Sequence, residues 1–281
     1  MSYKTQVAAW WKIFVVMLAA AVVVAACSAP AAPVAMPEVT VEVSDAGISA
    51  PAEVPAGLVA VTINNSTQAP TGPLLARMNE GVSQEQFMEA LMADESGMAA
   101  IALVTLLGGA QAGAGESVRT VFDLKPGNHI ALGFGEGPPQ LANFTVAAGS
   151  GAAPAAPAAA VNAELLDFQF ALPDQIKAGV QTWQIENKGG QWHEMVVVKL
   201  NEGVTADDLM AMMMSGEEPD GPPPFEQVAF WAPMSAGERA WMDVDLPAGE
   251  YTVLCFLPDF ASTPPKSHLE HGMVRTLTVT E

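Results

Sequence analysis

Four side chains in the last third of the chain have the chemistry of a metal site. They are His193, Cys255, His268 and Met273, and each stands at the edge of a run of residues typical of a β-strand. Two imidazoles, one thiolate and a weak thioether form the ligand set of a mononuclear copper centre. Thiolate and thioether sulfur stabilise Cu(I), whereas imidazole nitrogen suits Cu(II), so such a site exchanges single electrons. A further histidine, His271, is an alternative to His268 as a ligand.

Strand order determines whether these side chains meet. Cys255 closes the apolar run 251–255, and Met273 opens the run 274–279. If these runs pair as antiparallel neighbours, Cys255, Met273 and the loop that carries His268 lie at one pole of a sheet. His193 joins them if its own strand begins at that pole.

Each residue also has an ordinary structural interpretation. A free cysteine is often a small buried apolar residue, and His193, His268 and His271 are compatible with polar surface or loop positions. An unpaired cysteine in an oxidising compartment, however, needs burial or a metal to protect it. The four ligand types together favour the copper site.

The elements that must position these residues are mostly strands. Apolar and polar residues alternate at Val59, Val61 and Ile63 in one half, and at Met242, Val244 and Leu246 in the other. This period of two indicates strands with one buried face. Many short strands separated by Gly, Pro and Asn turns predict an all-β fold of two tandem Greek-key β-sandwiches.

One short helix is expected in each half. Ser83 followed by Gln86, and Thr205 followed by Asp208, have the spacing of a helix capping box. Gly97 and Gly216 are expected to end these helices. Four methionines cluster in the second helix: Met210, Met212, Met213 and Met214. They are compatible with a buried helix face or with a Cu(I)-binding stripe, and the buried face is favoured.

The two halves repeat one another. The segment beginning at Asn79 recurs at Asn201, 122 positions later, and Asp123 recurs at Asp245 with the same offset. A constant offset over so long a span indicates internal duplication. It predicts a domain at 38–147 and a second at 161–281, joined by an Ala/Pro linker at 148–160.

Three segments of the second copy resemble the cupredoxin superfamily, the plastocyanin and azurin type. Residues 187–194 resemble the family's approach to its first histidine ligand, 249–255 its strand leading to the cysteine, and 268–273 its closing His-x-x-x-Gly-Met. The resemblance implies one copper ion held by His193, Cys255 and His268, with Met273 as the weak axial ligand. It covers the second copy directly, and the first only through the repeat.

The sequence departs from the family pattern in one loop. Twelve residues, 256–267, separate the cysteine from the second histidine, where cupredoxins usually have only a few. Each doubling of loop length costs only about 0.6 kcal/mol in closure entropy, whereas metal binding supplies about 10 kcal/mol. Copper is therefore still expected, provided that the loop holds His268 in place.

The first copy lacks the ligands. At the constant offset, Thr71 stands where the second copy has His193, and Gly133 stands where it has Cys255. Its one histidine, His129, corresponds to the strand residue Tyr251. We expect the first copy to keep the fold without binding copper.

The N-terminus indicates export and a membrane anchor. Residues 1–26 combine two lysines with an apolar run too short to remain as a spanning helix. The run ends in Val24-Ala25-Ala26-Cys27, which resembles the lipobox of bacterial lipoproteins, so Cys27 is the expected lipidation site. Residues 27–37 are then a tether, and the protein faces the periplasm or the cell surface. An uncleaved anchor is the alternative.

Charge limits the partners. The formal net charge of -20 excludes nucleic acid, whose phosphates would be repelled, and it would steer a basic redox protein or membrane complex toward the chain. The leading hypothesis is copper binding or electron transfer. The alternative is a metal-free interaction module of a membrane or cell-surface complex. No enzymatic activity is expected, because a single buried site offers no obvious substrate position.

Overall fold

The structure is a computed structural model that describes residues 34–93, 97–133, 139–149, 152–215 and 221–281. The expected signal sequence, the lipidation of Cys27, most of the tether and the helix stop at Gly216 lie outside the described residues. Within the described part of the chain, no helix is long and apolar enough to cross a membrane.

The first copy contains nine strands and two helices among its described residues. These are β1 (Glu38–Ser44), β2 (Gly47–Ser49), β3 (Glu53–Pro55), β4 (Gly57–Asn65), β5 (Leu74–Met78), α1 (Gln84–Ala93), α2 (Met98–Ile101), β6 (Val104–Gly108), β7 (Ser117–Leu124), β8 (Gly127–Gly133) and β9 (Gln140–Ala147).

The second copy repeats this strand order and adds a short hairpin near its end. Its described residues contain one helix, as expected, where the first copy has two instead of the one expected from the sequence. Its elements are β10 (Val161–Leu166), β11 (Gln169–Ala171), β12 (Gln175–Lys177), β13 (Gly179–Asn187), β14 (His193–Leu200), α3 (Ala206–Ser215), β15 (Phe225–Met234), β16 (Arg239–Leu246), β17 (Gly249–Leu254), β18 (Pro258–Asp259), β19 (Lys266–Ser267) and β20 (Val274–Thr280).

Each copy contributes strands to two sheets in the same order. One sheet runs β2-β1-β4-β7 in the first copy and β11-β10-β13-β16 in the second; the other runs β6-β5-β8-β9-β3 and β15-β14-β17-β20-β12. The first strand of each copy pairs in parallel with the fourth, as β1 does with β4 and β10 with β13. Apolar residues of both sheets face inward and form the core. The all-β sandwich fold expected from the sequence is confirmed.

Alternation accounts for which residues enter this core. On β16, Met242, Val244 and Leu246 are buried, and the intervening Asp243 and Asp245 are exposed. Such a pattern favours a strand because successive side chains point to opposite faces. The charged residues thereby remain in water while their neighbours pack between the sheets.

Capping boxes begin α1 and α3, as the sequence predicts. The backbone N–H of Gln86 donates to Ser83 Oγ over 3.2 Å, and the N–H of Ser83 donates to Gln86 Oε1 over 2.9 Å. Thr205 and Asp208 form the same reciprocal pair in α3. These bonds satisfy backbone donors that have no partner within the helix.

The methionines of α3 form only part of a buried face. Leu209 is buried, Met210 and Met212 are half-buried, and Met214 is exposed. The side chain of Met213 lies outside the described residues.

The two copies share both sheets. Strand β7 pairs with β16 in antiparallel register, with Val121 opposite Trp241. Strand β6 meets β15, where Leu107 lies opposite Met234. The paired strands are equivalents of one another in the repeat, so the same surface is used on both sides, as in a two-fold dimer interface. Residues 34–281 accordingly cluster as one unit.

A buried histidine in the first copy makes stability sensitive to acid. His129 has no exposed surface, and no hydrogen-bond partner within the described residues contacts its Nε2 atom. Its Nδ1 atom lies 3.1 Å from the carbonyl oxygen of Gly127, and its ring stacks on Phe144. Burial, helped by the charge of the nearby Arg77, lowers the pKa of His129 to about 4, against the opposing hydrogen bond to Gly127.

We expect His129→Phe to remove this acid sensitivity. The folded protein resists protonation of His129, so its contribution to stability falls as the pH drops from about 6.5 to about 4. Over this pH range the unmodified protein should lose about 3 kcal/mol of unfolding free energy that the variant keeps. Urea unfolding of both proteins at pH 7 and pH 4.5 measures it, and an equal stability difference at the two pH values would contradict the prediction.

Candidate metal centre

Two strand pairings bring the candidate ligands to one pole. Strand β14 begins at His193, and β17 runs antiparallel beside it, with Val196 opposite Leu254. Strand β20 pairs antiparallel with β17, with Leu254 opposite Val274. Cys255 therefore follows the end of β17 between the start of β14 and the start of β20. The antiparallel pairing expected from the sequence is observed.

Three of the expected ligands converge. The Nδ1 atoms of His193 and His268 lie 3.1 Å apart, and Cys255 Sγ lies 3.4 Å from His268 Nδ1. Ligand atoms of all three residues lie within 4.8 Å of one another. His193 and Cys255 have no exposed surface, and His268 is 1% exposed. Such a group can surround an ion and exclude water from it.

Hydrogen bonds orient both imidazole rings toward the centre. Nε2 of His193 lies 3.0 Å from Asp167 Oδ1, and Nε2 of His268 lies 3.3 Å from Gln191 Oε1. Because both partners are oxygen acceptors, we assign the ring proton of each histidine to Nε2. The two Nδ1 lone pairs then face each other.

This donor set fits a copper ion. Two lone pairs 3.1 Å apart repel one another unless a cation lies among them, and the third donor is a buried sulfur. Imidazole nitrogen and thiolate sulfur are the ligands that select copper in a trigonal site.

Burial dominates the ionisation of the three residues. It lowers the pKa of His268 to about 4, and it lowers the pKa of His193 against the opposing effect of Asp167. It also raises the pKa of the Cys255 thiol to about 12, to which the nearby Glu194 contributes. The metal-free site thus holds neutral imidazoles and a protonated thiol, and binding a metal ion releases the thiol proton.

Met273 lies beside Cys255. It has no exposed surface and packs in the same apolar core. Its carbonyl oxygen accepts the Cys255 N–H over 3.3 Å, and its own N–H donates to the carbonyl of His268 over 2.9 Å. Its backbone is therefore fixed next to two of the converging ligands, and its role as axial ligand stays a prediction.

His271, the alternative to His268, lies outside the cluster. Its Nε2 atom is 3.2 Å from Asp259 Oδ2, and its ring lies 4.3 Å from that of Phe168. The contact with Asp259 joins the segment 268–273 to the long loop 256–267, and the contact with Phe168 joins it to the turn between β10 and β11.

The long loop between Cys255 and His268 is ordered by its own bonds. Strands β18 and β19 pair within it, and Ser267 forms reciprocal hydrogen bonds with Glu270. The N–H of His268 donates to the carbonyl oxygen of Leu257 over 2.7 Å. The twelve-residue departure from the cupredoxin pattern is thus compatible with a fixed His268.

Sequence reasoning did not identify the polar residues around the ligands. Asp167, Gln191 and Glu194 contact the site or its flanking backbone, and the Glu194 carboxylate accepts the Phe256 N–H over 2.9 Å. Burial raises the pKa of Glu194 to about 7. The only sequence signal for Glu194 is its place next to His193. Asp167 gives no such signal, because the first copy has Asp45 in the equivalent turn and no histidine site.

Comparisons with known proteins give structural neighbours only. No family model matches the chain, and no curated protein matches it. It is similar to the solved structure of auracyanin B, at 24% identity and a TM-score of 0.31, over 45% of this chain and 94% of that one. It is also similar to auracyanin A, a "blue" copper protein from Chloroflexus aurantiacus, at 18% identity and a TM-score of 0.29, over 42% and 96%.

A multicopper oxidase from Aquifex aeolicus is similar across both copies, at 10% identity and a TM-score of 0.26, over 88% of this chain and 66% of that one. In the present chain, the strand order is the same in both copies, and three buried donors lie at one pole of the second. The chain is therefore an all-β protein of two repeated β-sandwich copies.

Proposed function

We propose that the second copy binds one copper ion and that the protein transfers electrons outside the cytoplasm. His193, Cys255 and His268 would hold the ion, and Met273 would be a weaker fourth ligand. The observation that carries the proposal is the convergence of two Nδ1 atoms and one sulfur in a buried site. Bound copper supplies a one-electron couple.

The protein's own contribution is a site that keeps its shape. The strand pairing of β14, β17 and β20 fixes the backbone of three ligands, and the loop bonds described above fix that of His268. Ligands that hold one geometry in both oxidation states favour rapid electron exchange. Because the donors are buried, we propose a carrier rather than an enzyme.

A cavity beside the site offers a contact for a redox partner. It measures about 400 Å³ and is lined by Gln191, Trp192, Leu257 and Phe260, among others. Phe260 is 53% exposed, and Gln191 contacts the Nε2 atom of His268. We propose that a basic redox protein or membrane complex, attracted by the acidic chain, docks here. A lipid on Cys27 would keep the protein at the membrane.

Copper titration tests this function. One equivalent of Cu(II) added to the purified protein should produce a strong thiolate-to-copper band in the visible spectrum. His268→Ala should remove the strong band, whereas the matched variant His271→Ala should keep it. Absence of the band and of tight copper binding in the unmodified protein would overturn the proposal and favour the metal-free interaction module.

A further inference from the structure

A two-residue turn between β10 and β11 contacts the ligand histidines. Asp167 Oδ1 lies 3.0 Å from His193 Nε2, and the same carboxylate accepts the N–H groups of Gly190 and Gln191 over 2.9 and 3.1 Å. The neighbouring Phe168 places its ring edge-on to His268, with 5.3 Å between ring centres. One turn thus reaches both imidazoles from outside the ligand set.

The chain is shaped to let Asp167 approach His193. A Cβ atom at Gly189 would stand 2.5 Å from Asp167 Oδ1 and 2.8 Å from His193 Nε2, so only glycine leaves room for this hydrogen bond. A Cβ atom at the adjacent Gly190 would meet Asp167 Oδ2 at an ordinary 3.4 Å. Neither glycine has a positive φ, so space alone distinguishes the two positions.

The turn is also strained in the copy that has the ligands. Phe168 has a φ of 62°, a left-handed conformation that is rare and unfavourable for a bulky residue. In the first copy the equivalent turn is Asp45-Ala46, and Ala46 does not have a positive φ. The strained turn accompanies the histidine site and is absent where Thr71 replaces His193.

We propose that Asp167 is a positioning residue of the copper site. Its carboxylate holds the proton of His193 on Nε2, directs the Nδ1 lone pair toward Cys255 and His268, and makes the imidazole a stronger donor. Outer carboxylates act in this way on other metal-bound histidines. The inference rests on the proposed copper function and assigns the residue that tunes it.

Removing the carboxylate should weaken Cu(II) binding more than Cu(I) binding, because Cu(II) depends more on the imidazole. We expect Asp167→Ala to lower Cu(II) affinity about 10- to 100-fold, and Asp167→Asn to restore part of the loss through its carbonyl oxygen. Each tenfold decrease in the ratio of Cu(II) to Cu(I) affinity raises the reduction potential by about 59 mV. Asp45→Ala is the matched control in the first copy and should change neither affinity nor potential.

The metal-free protein provides an independent readout. Nitrogen NMR of His193 should show the proton on Nε2 in the unmodified chain, and this preference should be lost in Asp167→Ala and in Gly189→Ala but kept in Gly190→Ala. Unchanged tautomer, affinity and potential in Asp167→Ala would overturn the inference. If the unmodified protein failed to bind copper, the proposed function would fail while the NMR test of Asp167 still stood.

Discussion

Replacing Cys255 with serine should abolish the thiolate-to-copper band. It should also weaken copper binding by more than about 100-fold, because loss of a residue that only supports a ligand costs up to about 100-fold and this change removes a ligand itself. Cys255 is the only cysteine within the described residues, and its sulfur lies 3.4 Å from His268 Nδ1 in a fully buried position. A serine hydroxyl stays protonated at neutral pH and is a hard, weak ligand for copper. The change therefore removes the soft sulfur donor that favours copper at this site.

The fold should survive this substitution. Serine is close to cysteine in size, and its hydroxyl can donate to His268 Nδ1, so the buried polar atom keeps a partner. Spectral titration with Cu(II), together with urea unfolding of the metal-free form, separates loss of the ligand from loss of structure. An unchanged affinity and spectrum in a folded variant would mean that Cys255 is only a core residue.

Replacing Trp231 with alanine should lower the free energy of unfolding by about 3–5 kcal/mol. Trp231 lies on β15 of the second copy and has no exposed surface. Its ring lies 5.6 Å from that of Phe122 on β7 of the first copy. It also covers Gly108, where a Cβ atom would come within 2.2 Å of the indole nitrogen. The indole thus fills the space where the two copies meet.

A half-buried tryptophan of the same copy serves as the control. Trp192 borders the cavity near the metal centre, and Trp192→Ala should cost clearly less stability because less apolar area is removed from the core. Circular dichroism in urea compares the two variants without relying on tryptophan fluorescence. A loss below about 1 kcal/mol for Trp231→Ala would show that this contact does not join the copies.

Local patterns were enough to predict several of the longer strands and both capping boxes. The alternation at Met242, Val244 and Leu246 follows directly from the pleat of a strand, and the spacing of Thr205 and Asp208 follows from the first turn of a helix. The repeat added the equivalence of the elements in the two copies, because equal offsets imply equal elements. These inferences needed only residues close in sequence, or one constant offset.

Long-range contacts were beyond such patterns. Asp167 and His193 are 26 residues apart, and Gln191 and His268 are 77 apart, so nothing in the spacing announces their hydrogen bonds. The turn that carries Asp167 has a close equivalent in the first copy, Asp45-Ala46, so the sequence does not mark it as part of the site. The sequence also left His268 and His271 as alternatives, since both are polar and lie near Met273.

The sequence by itself determined the all-β class, the duplication and the residue types that a copper ion requires. Only the tertiary structure decided that both sheets continue from one copy to the other through β7 with β16 and β6 with β15, because strand edges carry the same backbone groups whatever their partners. It likewise decided which histidine faces Cys255. The reason is that ring direction depends on the acceptors Asp167, Gln191 and Asp259, and those are brought near only when the chain has folded.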